Sequence, residues 1–316
     1  MPEQPPKSTS SSSNRQTVVF MVILSFSCAL ILSLLASALS KPKEIAKDLD
    51  RSKQMMIAAK VLDPNGYFLL PDEKGNDVPA KSLADGSLVL GTTADIATQA
   101  QLLAVYRKRF NPMLVNAKGE MQTFESAKII PDDYFVRYRK TGYYNQPLKL
   151  VYEILSNTPS ATSTDKKGAD SNVQGYVIPV NGFGLWDAIY GYLALKPDGD
   201  TIIGVTWYDQ KETPGLGANI ADPAWQSLFP GKLVFQVSGT GKMDYKTAPL
   251  GIIVVKGKVS DVFGDSPKAK SAVDGMAGAT LTGNGVMDAY KDVLAAYRPF
   301  LLRIHAKHDA QVIDKN

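Results

Sequence analysis

AIYGYLALKPDGDTIIGVTWY, residues 188–208, is the stretch that decides the fold. Ala188–Leu195 and Thr201–Tyr208 are short apolar runs rich in β-branched and aromatic residues, which suit a pleated, half-buried surface. Lys196-Pro197-Asp198-Gly199-Asp200 between them carries the proline, aspartate and glycine that turns select. Together the three pieces predict an antiparallel hairpin. Working outward, Lys149–Leu155, Gly175–Val180, Lys232–Val237 and Gly251–Val259 read as further strands. Val286, Tyr290, Val293, Leu294, Tyr297, Leu301 and Ile304 then recur at helical spacing. The last long element is therefore an amphipathic helix packed on the sheet and bent at Pro299. Strands followed by a helix predict an α+β domain with a largely antiparallel sheet and packed helices. Earlier in the chain Gln99–Phe110 reads as a helix and Asp132-Asp133, after Pro131, as a turn or helix start. Ser156–Asn172 is polar and reads as a mobile surface loop.

Toward the N-terminus, Thr17–Leu39 (TVVFMVILSFSCALILSLLASAL) contains no charged residue. At about 1.5 Å per residue a helix of this length covers about 34 Å, enough for a hydrocarbon core of about 30 Å. A retained transmembrane helix and a cleaved signal peptide ending at Ala36-Ser37-Ala38 compete for it. Signal peptides carry an apolar core of only about 7–15 residues, so the length favours the anchor. Residues 1–16, rich in proline and serine, read as a disordered tail. Residues 40–62 read as a helical stalk, and 63–316 as an extramembrane domain. Lys7 and Arg15 precede the apolar run, and Lys41, Lys43, Lys47, Arg51 and Lys53 follow it. Flanking charge is a weak guide for long translocated domains, so it leaves the orientation open.

Composition excludes several classes. The chain has 316 residues, a formal net charge of +4 and 44% hydrophobic residues, enough for a core and too many for wholesale disorder. Opposite charges are interleaved, which argues against a nucleic-acid surface. One cysteine, Cys28, excludes an intramolecular disulfide and reads as apolar filler. The two histidines, His305 and His308, read as a solvated pair on a polar tail, so no metal site is expected. Dinucleotide, Walker, HExxH and EF-hand motifs are absent. Gly239-Thr240-Gly241-Lys242 lacks the remaining positions of a phosphate loop and reads as a turn.

Two glycine loops remain. Glu212-Thr213-Pro214-Gly215-Leu216-Gly217-Ala218 follows a strand, and its small residues let a ligand approach the backbone. An ordinary strand-ending loop fits the same residues. DGMAGATLTGNG, Asp274–Gly285, opens the amphipathic helix. Accessible N–H groups and the positive end of a helix favour a phosphate there, beside a threonine hydroxyl that it can esterify. A helix entry capped by Thr282 or Asn284 explains the same glycines.

The combination carries a resemblance. DGMAGATLT resembles the flavinylation motif of the FMN-binding domain family, and KETPGLGA is similar to its second signature. Gly184-Leu185-Trp186 resembles a third segment, typical of the anchored flavoproteins of Na(+)-translocating NADH:quinone reductases. The resemblance spans the anchor and roughly residues 175–298. It implies FMN joined by a phosphoester to Thr280, with Asp274, Gly278 and Ala279 as motif positions and Leu281 and Thr282 beside them. Leu185, Trp186, Glu212, Thr213, Leu216 and Gly217 are then implied contacts around the flavin. Ala277 stands where the family usually has Ser or Thr, and the acceptor position is intact.

What the resemblance implies is an electron relay: a subunit, incomplete as an enzyme alone and with no catalytic side chain, in NADH-to-ubiquinone transfer coupled to sodium export. The implied partners are the other subunits of that complex, a flavin transferase during maturation, and membrane lipid. The implied location is the cell inner membrane, single-pass, with the domain in the periplasm and the tail in the cytoplasm. With no NADH signature and no charge inside the apolar run, hydride acceptance and the sodium path fall to other subunits. Two alternatives stand beside this. One is the equivalent flavoprotein of the related ion-translocating ferredoxin:NAD oxidoreductase. The other is a flavin-free anchored binding or assembly module whose glycine loops are only turns.

Overall fold

A computed structural model of the chain describes residues 11–72, 74–157, 172–238, 241 and 243–313. It separates into two compact units, Met1–Asp50 and Arg51–Asn316. The first holds α1 (Ser11–Ala58) as far as Asp50; the stretch Asn14–Ser40 of this helix contains an 18-residue window of mean hydropathy 2.8 and is long and apolar enough to cross a membrane. Residues 11–16 belong to this helix rather than to a disordered tail, and residues 1–10 lie outside the described residues. The helix ends at Ala58, short of the expected 62, because Lys60 turns left-handed with φ 56°. Its amide then donates to Ile57 and that of Val61 to Met56, using carbonyls the helix leaves free.

The second unit opens with β1 (Phe68–Pro71), β2 (Asp77–Ser82) and β3 (Leu88–Leu90), a small antiparallel sheet that the sequence did not announce. Helix α2 (Gln99–Arg109) starts at Thr98, which exchanges hydrogen bonds with Gln101 in a capping box. The chain continues through β4 (Phe110–Val115), β5 (Met121–Gln122), α3 (Pro131–Tyr138), β6 (Lys149–Leu155), β7 (Val173–Phe183), β8 (Ala188–Leu195) and β9 (Ile202–Asp209). It closes with α4 (Pro223–Gln226), β10 (Ile253–Val254), α5 (Val259–Phe263), β11 (Ala272–Val273) and α6 (Thr280–Ile313). The main sheet runs β5-β4-β6-β7-β8-β9, antiparallel throughout, and β10 and β11 form a separate parallel pair. The architecture is the expected α+β. In the β8–β9 hairpin Tyr192 faces Thr206 and Leu193 faces Val205.

Two expected strands dissolve. Residues 232–237 form only isolated bridges, Thr201 with Leu233 and Phe235 with Leu250. Their backbone groups find unrelated partners: Val234 N–H donates to the Asp200 carbonyl, Phe235 N–H to its carboxylate, and Gln236 N–H to Pro249. From 251 to 259 only Ile253–Val254 is a strand, because Gly251 (φ 121°) and Gly257 (φ 98°) turn the chain at either side. Of the expected loop 156–172, residues 158–171 lie outside the described residues, and its ends are tied by Ser156 N–H to the Asn172 carbonyl at 2.8 Å. Of residues 239–242 only Gly241 is described; it closes a turn on Ser238. His305 is not the solvated residue expected: Nδ1 meets the Asp198 carbonyl at 2.9 Å and the ring lies 3.9 Å from that of Tyr245.

Helix α6 carries the core. Its predicted apolar stripe is buried in full, together with Ala289 and Phe300, against β6–β9 and the 225–254 segments. Each such side chain contributes about 1.5–3 kcal/mol on leaving water. Tyr297 Oη donates to the Leu150 carbonyl at 2.5 Å, satisfying a buried hydroxyl. Gly182 of β7 lies so close to Ala289 that a Cβ there would overlap it, and Gly285 is as close to the Phe183 carbonyl. The first turns of α6 therefore sit directly beneath the β7–β8 turn. Because Tyr190 pairs with Asp209, the segment leaving β9 emerges at that same end of the sheet.

Candidate functional site

Three segments thus meet at one end of the sheet: the β7–β8 turn (184–187), the loop after β9 (212–218), and the loop 274–279 that feeds α6. Glu212 joins the first two. It is 5% exposed, and its carboxylate accepts the amides of Leu185 at 3.1 Å and Trp186 at 3.0 Å. Thr282, 1% exposed on α6, donates its hydroxyl to the same carboxylate at 2.5 Å. Burial raises the Glu212 pKa, but the hydrogen bonds from Thr282, Trp186 and Leu185 outweigh it and leave the group below the ordinary glutamate value. Gly278, left-handed with φ 73°, has the Leu216 side chain against the place where its Cβ would be. The second and third segments are therefore in direct contact.

Helix α6 begins at Thr280, so the position before it, Ala279, has no side-chain acceptor for the first-turn amides. The expected caps lie inside the helix: Thr282 is in its first turn and turned toward Glu212, and Asn284 follows. An α-helix leaves its first N–H groups without intrahelical partners, and the macrodipole adds positive character there. Thr280 itself is exposed. It lines a cavity of about 440 Å³ with Gly275, Gly278, Gly283, Asn284 and the segment 254–258. Small-molecule sites are commonly about 300–1,000 Å³. Lys256 and Lys258, both exposed, bring two cations to its wall, and neither has an ion-pair partner among the described residues. Free amides, two lysines, glycine walls and a threonine hydroxyl form a donor set that fits a phosphate-bearing group.

The twelve residues expected around the ligand divide by orientation. Leu185, Trp186, Leu216 and Leu281 face solvent, Trp186 at 68% exposure, and Trp186 Nε1 donates to Thr213 Oγ1 at 3.1 Å. Asp274 does not stand free: its Oδ1 accepts the Val259 amide at 2.7 Å and its carbonyl accepts Trp225 Nε1 at 2.9 Å. Ala279 and Gly217 are buried and serve close packing; a Cβ on Gly217 would overlap Thr282 Oγ1. Sequence reasoning missed Lys256, Lys258 and Gly275. A Cβ on Gly275 would strike the Val255 carbonyl, so only glycine fits. The signal was present in Lys256-Gly257-Lys258, two cations about a turning glycine, inside a segment read as continuous strand.

The donor set suits a phosphate-bearing ligand, and residues 184–295 match the family model of the FMN-binding domain, which gives the class of the domain. The chain is 41% identical over 290 residues to the C subunit (NqrC) of the Na(+)-translocating NADH-quinone reductase of Chlamydia caviae, covering 90% of this chain and 91% of that protein. It is 42% identical over 292 residues to the NqrC of Chlamydia pneumoniae, covering 90% of each. The solved structure of NqrC from Parabacteroides distasonis superimposes with a TM-score of 0.51 at 22% identity, over 83% of this chain and 96% of that one, a likeness of fold. The chain belongs to the NqrC family of the Na(+)-translocating NADH-quinone reductases, whose members are named as subunits of an oxidoreductase complex. Membership favours this complex over the ferredoxin:NAD alternative.

Proposed function

We propose that this protein is the anchored FMN-bearing subunit of a sodium-translocating NADH:quinone reductase, with its flavin joined through a phosphoester to Thr280. The observation that carries the reading is the contrast between two nearby threonines: Thr280 is exposed at the uncapped start of α6, and Thr282 is buried and already engaged by Glu212. In maturation Thr280 Oγ1 would be the nucleophile toward the flavin-side phosphorus of FAD, with AMP as the leaving group and the transferase taking the hydroxyl proton. The first-turn amides of α6 with Lys256 and Lys258 would hold the remaining phosphodiester charge. Asp274 keeps the 257–259 turn in place, and Leu185, Trp186, Leu216 and Leu281 offer apolar surface to the ring. The bound flavin supplies one- and two-electron chemistry, and the protein supplies tether, orientation and field.

In this reading Asn14–Ser40 spans the inner membrane, residues before it lie in the cytoplasm, and the domain faces the periplasm. Sodium coupling belongs to the assembled complex, since the span carries no charged residue between Thr17 and Leu39, and so does NADH oxidation, since the sequence carries no dinucleotide-binding motif. The test is the intact mass of the full chain exported beside a flavin transferase. Wild type gains FMN less water, Thr280→Ala gains nothing, and Thr282→Ala retains the gain. Flavin on Thr280→Ala would move the acceptor elsewhere. No gain in wild type with an active transferase would sink the flavin reading.

A further inference from the structure

Glu212 is a buried carboxylate with no cation beside it: among the described residues it makes no ion pair, and neutral donors satisfy it instead. Its surroundings are shaped around it. A Cβ on Gly184 would overlap Oε1, and one on Gly217 would crowd Oε2 and overlap Thr282 Oγ1. Both oxygens are turned inward to protein donors, so the expected contact with flavin is not what its geometry serves. Helix geometry gives the arrangement a consequence. Successive residues of an α-helix are about 100° apart, so Thr280 and Thr282 point in directions separated by about 200°. Fixing Thr282 inward therefore fixes Thr280 outward.

We infer that Glu212 is the positioning residue of the flavin-acceptor turn: by holding Thr282 it sets the direction in which α6 presents Thr280, and it clamps the Leu185–Trp186 turn to the same face. The inference deepens the proposed flavin site and rests on it. Glu212 acts through Thr282 and through two backbone amides, and it takes no part in bond making.

The experiment uses the full chain with an active flavin transferase and reads the initial rate of FMN attachment by intact mass, with folding checked by circular dichroism. Thr282→Val and Glu212→Gln each slow attachment by about tenfold or more, about 1.4 kcal/mol for each factor of ten. Thr282→Ser, which restores the hydroxyl, loads at the wild-type rate. The double variant is no slower than the slower single one, because both changes break one contact. In flavin-free protein, hydrogen exchange at the Leu185 and Trp186 amides speeds up in Glu212→Gln and stays near wild type in Thr282→Val. Wild-type loading of Thr282→Val, multiplying effects in the double variant, or full amide protection in Glu212→Gln each overturns the inference. If wild type itself takes no FMN, the flavin reading fails separately, and the exchange measurement alone decides whether Glu212 clamps the turn.

Discussion

Asp200 is 4% exposed at the β8–β9 turn, and its Oδ1 accepts the Phe235 amide at 2.9 Å. Burial raises its pKa from 3.8 to about 6; Asp198 adds to the rise, and the Phe235 amide and His305 oppose it. A carboxyl whose folded pKa lies above the unfolded one favours the folded state when protonated. Its contribution is therefore present below about pH 4 and lost as pH rises to about 6. Asp200→Asn keeps the acceptor for Phe235 and removes the titration. Urea unfolding across pH 4–7 is expected to show the wild type losing on the order of 2 kcal/mol that the variant keeps. A parallel pair of profiles would contradict the assignment. At the same scale Gly275→Ala must displace the Val255 carbonyl, and we expect about 1–3 kcal/mol of destabilisation in the same assay.

At the scale of elements, α6 has two characters along one rod. Leu294 is fully buried and Leu281, thirteen residues earlier, is exposed. Leu294→Ala should cost about 2–5 kcal/mol in chemical unfolding and Leu281→Ala less than about 0.5, so similar costs would mean the helix packs differently. This helix was legible in the sequence because a long amphipathic stripe repeats one signal many times. The β8–β9 hairpin was legible for a different reason: Pro197 and Gly199 mark its turn between two apolar runs. Residues 232–237 have strand composition, and nothing local reveals that Asp200 draws two of their amides away from any ladder. The strands between Phe68 and Leu90 are only three to six residues long, too short for a period to emerge. Of the site, glycine and threonine spacing revealed the two loops, whereas the Glu212–Thr282 contact joins residues 70 positions apart and exists only once the sheet brings the loops together.

For the whole molecule, the proposed anchor makes a simple partition. The full chain is expected to sediment with membranes after lysis and to resist a high-salt wash, while a chain lacking residues 1–40 should appear in the soluble fraction. Release of the full chain by salt alone would exclude a spanning helix. The folded unit from Arg51 onward also gives any flavin on Thr280 an unusual mechanical setting. The acceptor stands on the first turn of a 34-residue helix whose Val286–Ile304 stripe lies in the core, so the tether belongs to the rigid frame instead of to a loose loop. A fluorophore joined there and held against the Leu185–Trp186 face would share the slow tumbling of the entire domain. Its emission would stay polarised while the core is intact and depolarise when the core melts, so that a cofactor at this position would serve as a built-in optical gauge of unfolding.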